Sequence, residues 1–483
     1  MSKWSGKFKQ SYRERSVDNL FKIDGMVPLN KAVPFGLQHI LSMFFANIAP
    51  LLIVFTSIAA KQDVSQTVID NGIRSAILFA AIGTTIQLFP VWKVGAKLPI
   101  VVGLSFTFVG MLVEIGTFYG LQTLFVSTII GGVAIGIIGL FAKYWRKFIK
   151  PIVSASVVLG IGLSLIPVAA QQFFSTDVAG VIVDSAYHFE VAWPYLLVAS
   201  MTFLSGVLFL IFMKGVWKNV SVLFSLFIGY ILACCFIPMN NMVDFSIFHF
   251  NSVTDFIDVP KPIFLLIPFT GECFNIGAIV SVFIIYIVAS TECIGDVCSL
   301  TKAGLNREAT EQEISGAVAA DGFISALGGA FGSFPLTTFA QNVGIVSQTK
   351  VVNRFSILMG ALLLFAASFF PPISTLLQTI PNCVVGGCTL ILFTSILLIG
   401  MQMVSECGFG RRNVLIMGIS IGLGYGITFV PEVTNLARDG SFLDSLKIVI
   451  QNPVPNMFFL SLLFSYILPK SLDEEKTPSE PQE

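Results

Sequence analysis

The stretch Phe334-Pro335-Leu336-Thr337-Thr338-Phe339-Ala340-Gln341-Asn342 decides how this chain reads. It lies among apolar runs, yet it is short, led by a proline, rich in β-branched residues and closed by two side-chain amides. Such residues favour extended backbone, so a short extended piece leading into a half-helix is expected, its first N–H groups aimed at a ligand. The stretch Leu98-Pro99-Ile100-Val101-Val102-Gly103-Leu104-Ser105-Phe106 has the same plan, a proline followed six positions later by a polar residue. Irregular backbone survives at membrane depth only where protein buries it or where it lines a cavity.

The rest of the chain supports a membrane setting. Of 483 residues, 55% are hydrophobic and 12% charged, against about 25% charged in a soluble globular protein. Apolar runs such as 123–142 and 193–213 have the roughly 20-residue length that crosses a bilayer as a helix. The 28 basic and 28 acidic residues cancel, which excludes a nucleic-acid-binding footprint. The eight cysteines lie mostly in apolar runs, at Cys234, Cys235, Cys293, Cys298, Cys383 and Cys388 among others, without CxxC spacing. They read as small apolar fillers. Two of the three histidines, His188 and His249, fall in expected loops, so no metal centre is expected. Neither a phosphate-cradling Walker loop nor any other cofactor motif is found. No cleavable signal is visible, and the first 30 or so residues are polar and basic.

About fourteen apolar segments are expected in an all-α polytopic fold. The first seven fall near 35–59, 75–91, 98–113, 123–142, 149–169, 193–213 and 220–239. The second seven fall near 276–300, 316–334, 335–349, 354–371, 381–402, 412–430 and 453–469. The organisation is then a polar tail (1–34), a first repeat (35–239), a connecting loop (240–275), a second repeat (276–469) and an acidic tail (470–483). With the N-terminus cytoplasmic, most of the 28 Lys and Arg fall on the cytoplasmic side, as the positive-inside rule asks. Loop 171–192 carries Asp177, Asp184 and Glu190 but no Lys or Arg, which suits the outside. An even count puts both termini in the cytoplasm. Segments five and twelve both open at a proline, Pro151 and Pro381. Seven segments per repeat would invert the second copy, and paired interrupted segments in inverted halves point to a transporter's binding site.

Intramembrane ionisable residues are costly and carry function by default. Glu292 lies deep in segment eight, and Asp296, four residues on, shares its helix face. Asp321 lies early in segment nine and His39 early in segment one. Asp296 and Asp321 also fit a plainer role as caps or interface residues, and His39 as a structural histidine. A buried carboxylate that is neutral at one stage of a cycle and charged at another meets the requirement of a proton-coupled carrier. The Gln341 amide offers both a donor and an acceptor to a ring bearing C=O and N–H. Phe106 offers a stacking face, or ordinary packing. The run Gly328-Gly329-Ala330-Phe331-Gly332 reads as helix packing.

The run Gln341-Asn342-Val343-Gly344-Ile345-Val346-Ser347-Gln348-Thr349-Lys350 resembles the signature of the nucleobase–ascorbate transporter family. The preceding Ser333–Ala340 stretch, Ala320-Asp321-Gly322, Glu292 with Gly295-Asp296, and Gln38-His39 extend the resemblance along the chain in the same order. The resemblance implies fourteen spans in two inverted repeats, with segments one to four and eight to eleven as a core and the others as a gate. It implies a homodimer in the plasma membrane and cation-coupled uptake, with H⁺ as coupling ion and no cofactor. It assigns substrate contact to Glu292, Gln341 and Phe106, with Asn342 shaping the site, an essential carboxylate to Asp321 and affinity to His39; by position, Ser105 joins the expected substrate contacts and Asp296 the expected proton-coupling or site-shaping residues. Gln at the first signature position is similar to xanthine and uric acid carriers, whereas uracil carriers have Glu. Val343, Ser347-Gln348 and Ser105 depart from familiar xanthine carriers and leave the particular purine open. A uracil permease or an anion carrier on the same architecture are the alternatives.

Overall fold

The computed structural model describes residues 15–59, 61–175, 189–214, 216–235, 243, 245, 256–269, 273–434, 443–469 and 472. The start of the N-terminal tail, residues 176–188 with His188, part of loop 240–275 with His249, and nearly all of the acidic tail lie outside the described residues. Helices dominate: α1 (Leu29–Ala59), α2 (Gln66–Leu88), α3 (Val109–Gly139), α4 (Pro151–Phe173), α5 (Phe189–Phe212) and α6 (Ser221–Cys235) in the first half. The second half has α7 (Ile276–Leu305), α8 (Glu311–Ala330), α9 (Ala340–Thr349), α10 (Arg354–Ala367), α11 (Pro371–Gln378), α12 (Asn382–Cys407), α13 (Arg411–Gly426), α14 (Leu443–Gln451) and α15 (Pro453–Ile467). Two short strands interrupt them, β1 (Val102–Leu104) before α3 and β2 (Leu336–Thr338) before α9.

The two proline-led stretches are extended, and they pair with each other. β1 and β2 run antiparallel with Val102 opposite Thr338, Gly103 opposite Thr337 and Leu104 opposite Leu336. Ser105 N–H donates to Pro335 O at 2.9 Å and Phe339 N–H to Val101 O at 3.0 Å. The outer edges are closed by side chains. Thr84 Oγ1 accepts from Val102 N–H at 3.0 Å and Asn47 Oδ1 from Leu104 N–H at 2.8 Å. Ser325 Oγ accepts from Leu336 N–H at 2.8 Å and Asp321 Oδ2 from Thr338 N–H at 3.3 Å. A buried ribbon needs this, because an unpaired N–H away from water costs as much as a lost hydrogen bond. Gly103 is required for closeness: a Cβ there would overlap the Phe339 ring.

By length and hydropathy, seven of the described helices can cross a membrane, or eight if α10 and α11, bent by 82°, form one span. About fourteen apolar segments were expected, two of them, 98–113 and 335–349, short for a full span. Segments three and ten each divide between a strand and a short helix, and α6 and α15 are apolar but only 15 residues long. The expected gap between segments three and four is a break inside α3, where Gly120 takes φ 86° and ψ 166°. The helix α1 begins at Leu29, earlier than 35, with Pro34 inside it. Residues 16–27 are folded against the loop after α9. Asn353 Nδ2 donates to the carbonyls of Asn19, Lys22 and Gly25 at 2.9, 3.2 and 3.0 Å. Leu20, Val27, Ala32 and Val351 bury a small apolar cluster there.

The long helices pair across the two halves on glycine. α3 crosses α8 where Gly132, Gly136 and Gly139 face Gly322, Ala319 and Ala326. α4 crosses α12 at Gly162 and Gly400, and α1 crosses α10 at Gly36 and Gly360. Small residues let helix backbones approach closely in a bilayer, where burial from water contributes little. Pro151 stands at the first position of α4 and Pro381 caps α12, positions that suit a residue without an N–H. The glycine-rich run after Leu327 packs as expected, Gly329 against Thr128 of α3 and Gly328 against Leu336 of β2.

A side chain at Gly322 would overlap the backbone of Gly136. Overpacking costs about 1–3 kcal/mol and more where backbone must move, so Gly322→Val is expected to lower the thermal midpoint of the purified protein by several degrees. Gly344→Ala, where nothing lies within 4 Å of the added carbon, is the control and leaves the midpoint unchanged.

Candidate functional site

The ribbon's ends open into a cavity with an empty volume of about 480 Å³. One wall is polar. Leu104, Ser105 and Phe106 reach it from the end of β1, Glu292 and Asp296 from α7, and Thr337 to Gln341 from β2 and the start of α9. The other wall is apolar: Val158 and Ile161 from α4, Ile396, Ile399 and Met403 from α12. The spacing of the last three, three and four residues apart, is one face of a helix.

Each polar group is placed by a local reason. Glu292 and Asp296 are one turn apart on α7 and so point the same way. Thr107 Oγ1 donates to Glu292 Oε2 at 2.9 Å, and Thr338 Oγ1 donates to Asp296 Oδ2 at 2.7 Å. The Ser105 hydroxyl is buried with no hydrogen-bond partner among the described residues. The short helical turn Phe106–Phe108 and α9 both start at the cavity without a side-chain cap, so their first N–H groups add positive dipole ends to this wall. Phe106 is held edge-on by Phe393 of α12, ring centroids 5.2 Å apart.

The expected site residues divide into two groups. Ser105, Phe106, Glu292, Asp296 and Gln341 share the cavity. Asp321, Asn342 and His39 are not among its lining residues. Asp321 lies behind β2, where Oδ1 accepts from Gln87 Nε2 at 2.9 Å and Oδ2 from Thr337 Oγ1 at 3.1 Å and Thr338 N–H. Its neighbours there include Tyr286, Ser290 and Cys293 around a second, smaller cavity. Asn342 turns from the cavity because α9 is a helix and the residue after Gln341 lies about 100° round it. Its Nδ2 donates to His39 O at 3.2 Å and lies 3.0 Å from His39 Nδ1. Only the NH₂ end can donate to a carbonyl, which fixes the amide and leaves His39 Nδ1 as acceptor. Asp296, which had a plainer reading as an interface residue, is 8% exposed and faces the cavity.

Several participants are invisible to sequence reasoning. Gln87 and Thr107 become partners of carboxylates more than 180 positions away. Thr338 joins two carboxylates, its N–H on Asp321 and its hydroxyl on Asp296. The apolar wall has no signature beyond helical spacing.

Removing the Thr338 hydroxyl leaves Asp296 buried without that donor. Thr338→Val keeps the β-branched shape, so a loss of about 1–3 kcal/mol is expected from the unmet acceptor, seen as a lower thermal midpoint. Thr394→Val, an exposed hydroxyl bonded to its own helix, should change nothing.

Comparison with known proteins agrees with this geometry. Residues 30–433 match the Xan_ur_permease model, described as a permease family. A Clostridium perfringens protein provisionally named as a purine permease is 31% identical, covering 98% of this chain and all of its own. The xanthine permease of Bacillus subtilis is 30% identical over 89% of this chain and 94% of its own, and uric acid permease PucK of the same organism 31% over 86% and 91%. Among solved structures, the transmembrane domain of the cyanobacterial bicarbonate transporter BicA aligns with a TM-score of 0.54 at 14% identity, covering 91% of this chain and 98% of that one. Murine Slc26a9 in an inward-facing state aligns at 0.55 and 11% identity, covering 90% and 67%. At such identities the likeness is one of fold. Its relatives being permeases, transporters rather than enzymes, the chain belongs to the Xan_ur_permease family, the nucleobase–ascorbate transporters that its signature at Gln341–Lys350 resembles.

Proposed function

We propose that this protein is a secondary active transporter that takes up a purine nucleobase, xanthine or uric acid, by proton symport. The observation that carries the proposal is the cavity with two carboxylates, one amide, one unpartnered hydroxyl and one aromatic face on one wall, and only apolar side chains opposite. A planar heterocycle bearing alternating N–H and C=O groups matches that wall. Glu292 accepts from ring N–H groups, Gln341 pairs with a C=O and N–H edge, and Phe106 covers the ring face. Ser105 supplies a further hydroxyl. Asn342 acts at one remove by holding α9 to His39. Asp321 and Asp296, joined through Thr338, are the candidates for the proton that accompanies the substrate, with Glu292.

The same reading extends to the architecture. Fourteen segments in two inverted repeats, 35–239 and 276–469, are supported by the pairing pattern. β1 meets β2 and α4 meets α12, while α1 against α10 mirrors α7 against α3. A pseudo-two-fold axis between halves pairs segments in this way. The helices around the ribbon form a core, and α4 and α12 belong to a gate that supplies the apolar wall. We place the protein in the plasma membrane as a homodimer with both termini cytoplasmic. An anion carrier has the BicA-like fold in its favour, but two carboxylates and no Lys, Arg or His line the cavity among the described residues.

Radiolabelled xanthine uptake by cells expressing the protein is expected to be inhibited by uric acid, abolished by a protonophore and lost in Glu292→Gln. Unchanged uptake in that variant removes Glu292 from the site, and bicarbonate- or sulfate-driven current without xanthine uptake supports the anion reading instead. A thermal-shift series with xanthine, uric acid, guanine, hypoxanthine and uracil identifies the base, since a ligand bound to the folded state at a hundredfold its Kd stabilises by about 2.7 kcal/mol.

A further inference from the structure

After α2 the chain turns back on itself before it enters β1. Val91 and Val94 exchange backbone hydrogen bonds of 3.0 and 3.1 Å, so Trp92 and Lys93 form the tip of a two-residue turn. Trp92 takes φ 57°, and a positive φ at this first tip position is ordinarily supplied by glycine. A bulky L-residue is strained there. Among the described residues little packing matches the strain: Trp92 is 75% exposed and Val91 65%. The indole ring carries the Lys93 ammonium 5.2 Å from its centroid. Lys97, exposed at the end of the same loop, also has a positive φ, 61°.

A second segment repeats this chemistry. The helical turns Ala142–Trp145 and Arg146–Phe148 expose Tyr144 and Phe148, and each ring carries the preceding lysine, Lys143 at 4.7 Å and Lys147 at 5.5 Å. The two segments meet at the start of α8. Gly95 N–H donates to Gly316 O at 2.8 Å, and Lys143 N–H donates to Ser315 Oγ at 3.2 Å. Lys93, Lys97, Lys143, Arg146 and Lys147 therefore sit with three exposed rings at one end of the bundle. Among the described residues, Glu308, Glu311 and Glu313 lie around the start of α8 and Glu406 near the end of α12, and Glu313 is taken by Arg307 at 2.5 Å. Among these described side chains the balance is positive.

Exposed aromatic rings that carry cations are the chemistry of a membrane surface: the rings sit at headgroup depth and the ammonium groups meet phosphate. We propose that the Trp92-Lys93 turn and residues 142–148 form a clamp for anionic phospholipid headgroups. The clamp holds the loop that leads to β1, whose end is followed by Ser105 and Phe106, and the second turn of α8, the helix that carries Asp321. Lipid charge thereby steadies the loop that leads into the ribbon and one of the helices that close its edges. An acidic soluble protein is the competing occupant, but it would not explain why a tryptophan is strained outward beside membrane-spanning helices.

Purified protein in dodecyl maltoside is titrated with phosphatidylglycerol or phosphatidylcholine while its thermal midpoint is followed. Phosphatidylglycerol is expected to raise the midpoint more than phosphatidylcholine. Lys93→Gln, Lys143→Gln and Lys147→Gln together should raise the half-saturating phosphatidylglycerol concentration about a hundredfold, at about fivefold per lost surface charge. Lys61→Gln, at the far end of α2, should leave it unchanged. Trp92→Gly should melt no lower than the parent without lipid, because glycine accepts the positive φ, yet lose the gain from phosphatidylglycerol. Equal gains from both lipids, an intact gain in the triple variant, or a lower lipid-free midpoint for Trp92→Gly would each overturn the clamp.

Discussion

Everything in this protein turns on keeping a two-stranded ribbon hydrogen-bonded inside a helical bundle. Helices satisfy their own backbone, but β1 and β2 cannot, because each has an edge with no strand beyond it. Four side chains close those edges: Thr84 and Asn47 for β1, Ser325 and Asp321 for β2. Each half of the chain contributes two of them. The positions of α1, α2 and α8 relative to the ribbon are thereby set by hydrogen-bond length rather than by apolar packing, which is non-directional.

Asp321 belongs first to this structural task. Its carboxylate receives Gln87, the Thr337 hydroxyl and the Thr338 N–H, so a change in its charge acts directly on the ribbon edge. Thr338 then carries the connection to Asp296 on the cavity side. A proton on either carboxylate alters which groups can accept from the same residue. This chain of contacts gives the proposed coupling a physical route: protonation behind the ribbon is felt at the wall that meets the substrate.

The opposite wall obeys a different rule. α4 and α12 lie close because Gly162, Gly386 and Gly400 leave no room for a side chain between them, and their remaining face toward the cavity is apolar. An apolar wall makes no hydrogen bonds that would have to break when the gate proposed above moves. The edge-on pair of Phe106 and Phe393 is the one aromatic contact that bridges the two walls among those described.

By itself the sequence determined the membrane setting, the two extended pieces and the type of chemistry. Long apolar runs admit few other folds, and proline followed by β-branched residues at Pro99 and Pro335 leaves little but extended backbone. Deep carboxylates are too costly to be incidental, which singled out Glu292. The helical period even placed Asp296 on the same face as Glu292. Which polar residues share a cavity was decided only by tertiary structure. Gln341 and Asn342 are adjacent in sequence, yet one turn of α9 sends Gln341 to the cavity and Asn342 to His39. Only the family resemblance gave Asp321 a different role from Glu292, since both are carboxylates within apolar segments. The difference is which side of the ribbon each helix packs on, and that depends on Gln87, Thr107 and Thr338, partners far away along the chain. Local periodicity cannot encode a contact whose two members are set by separate helices, so the composition of the site was legible while its division into a substrate face and a ribbon-side face was not.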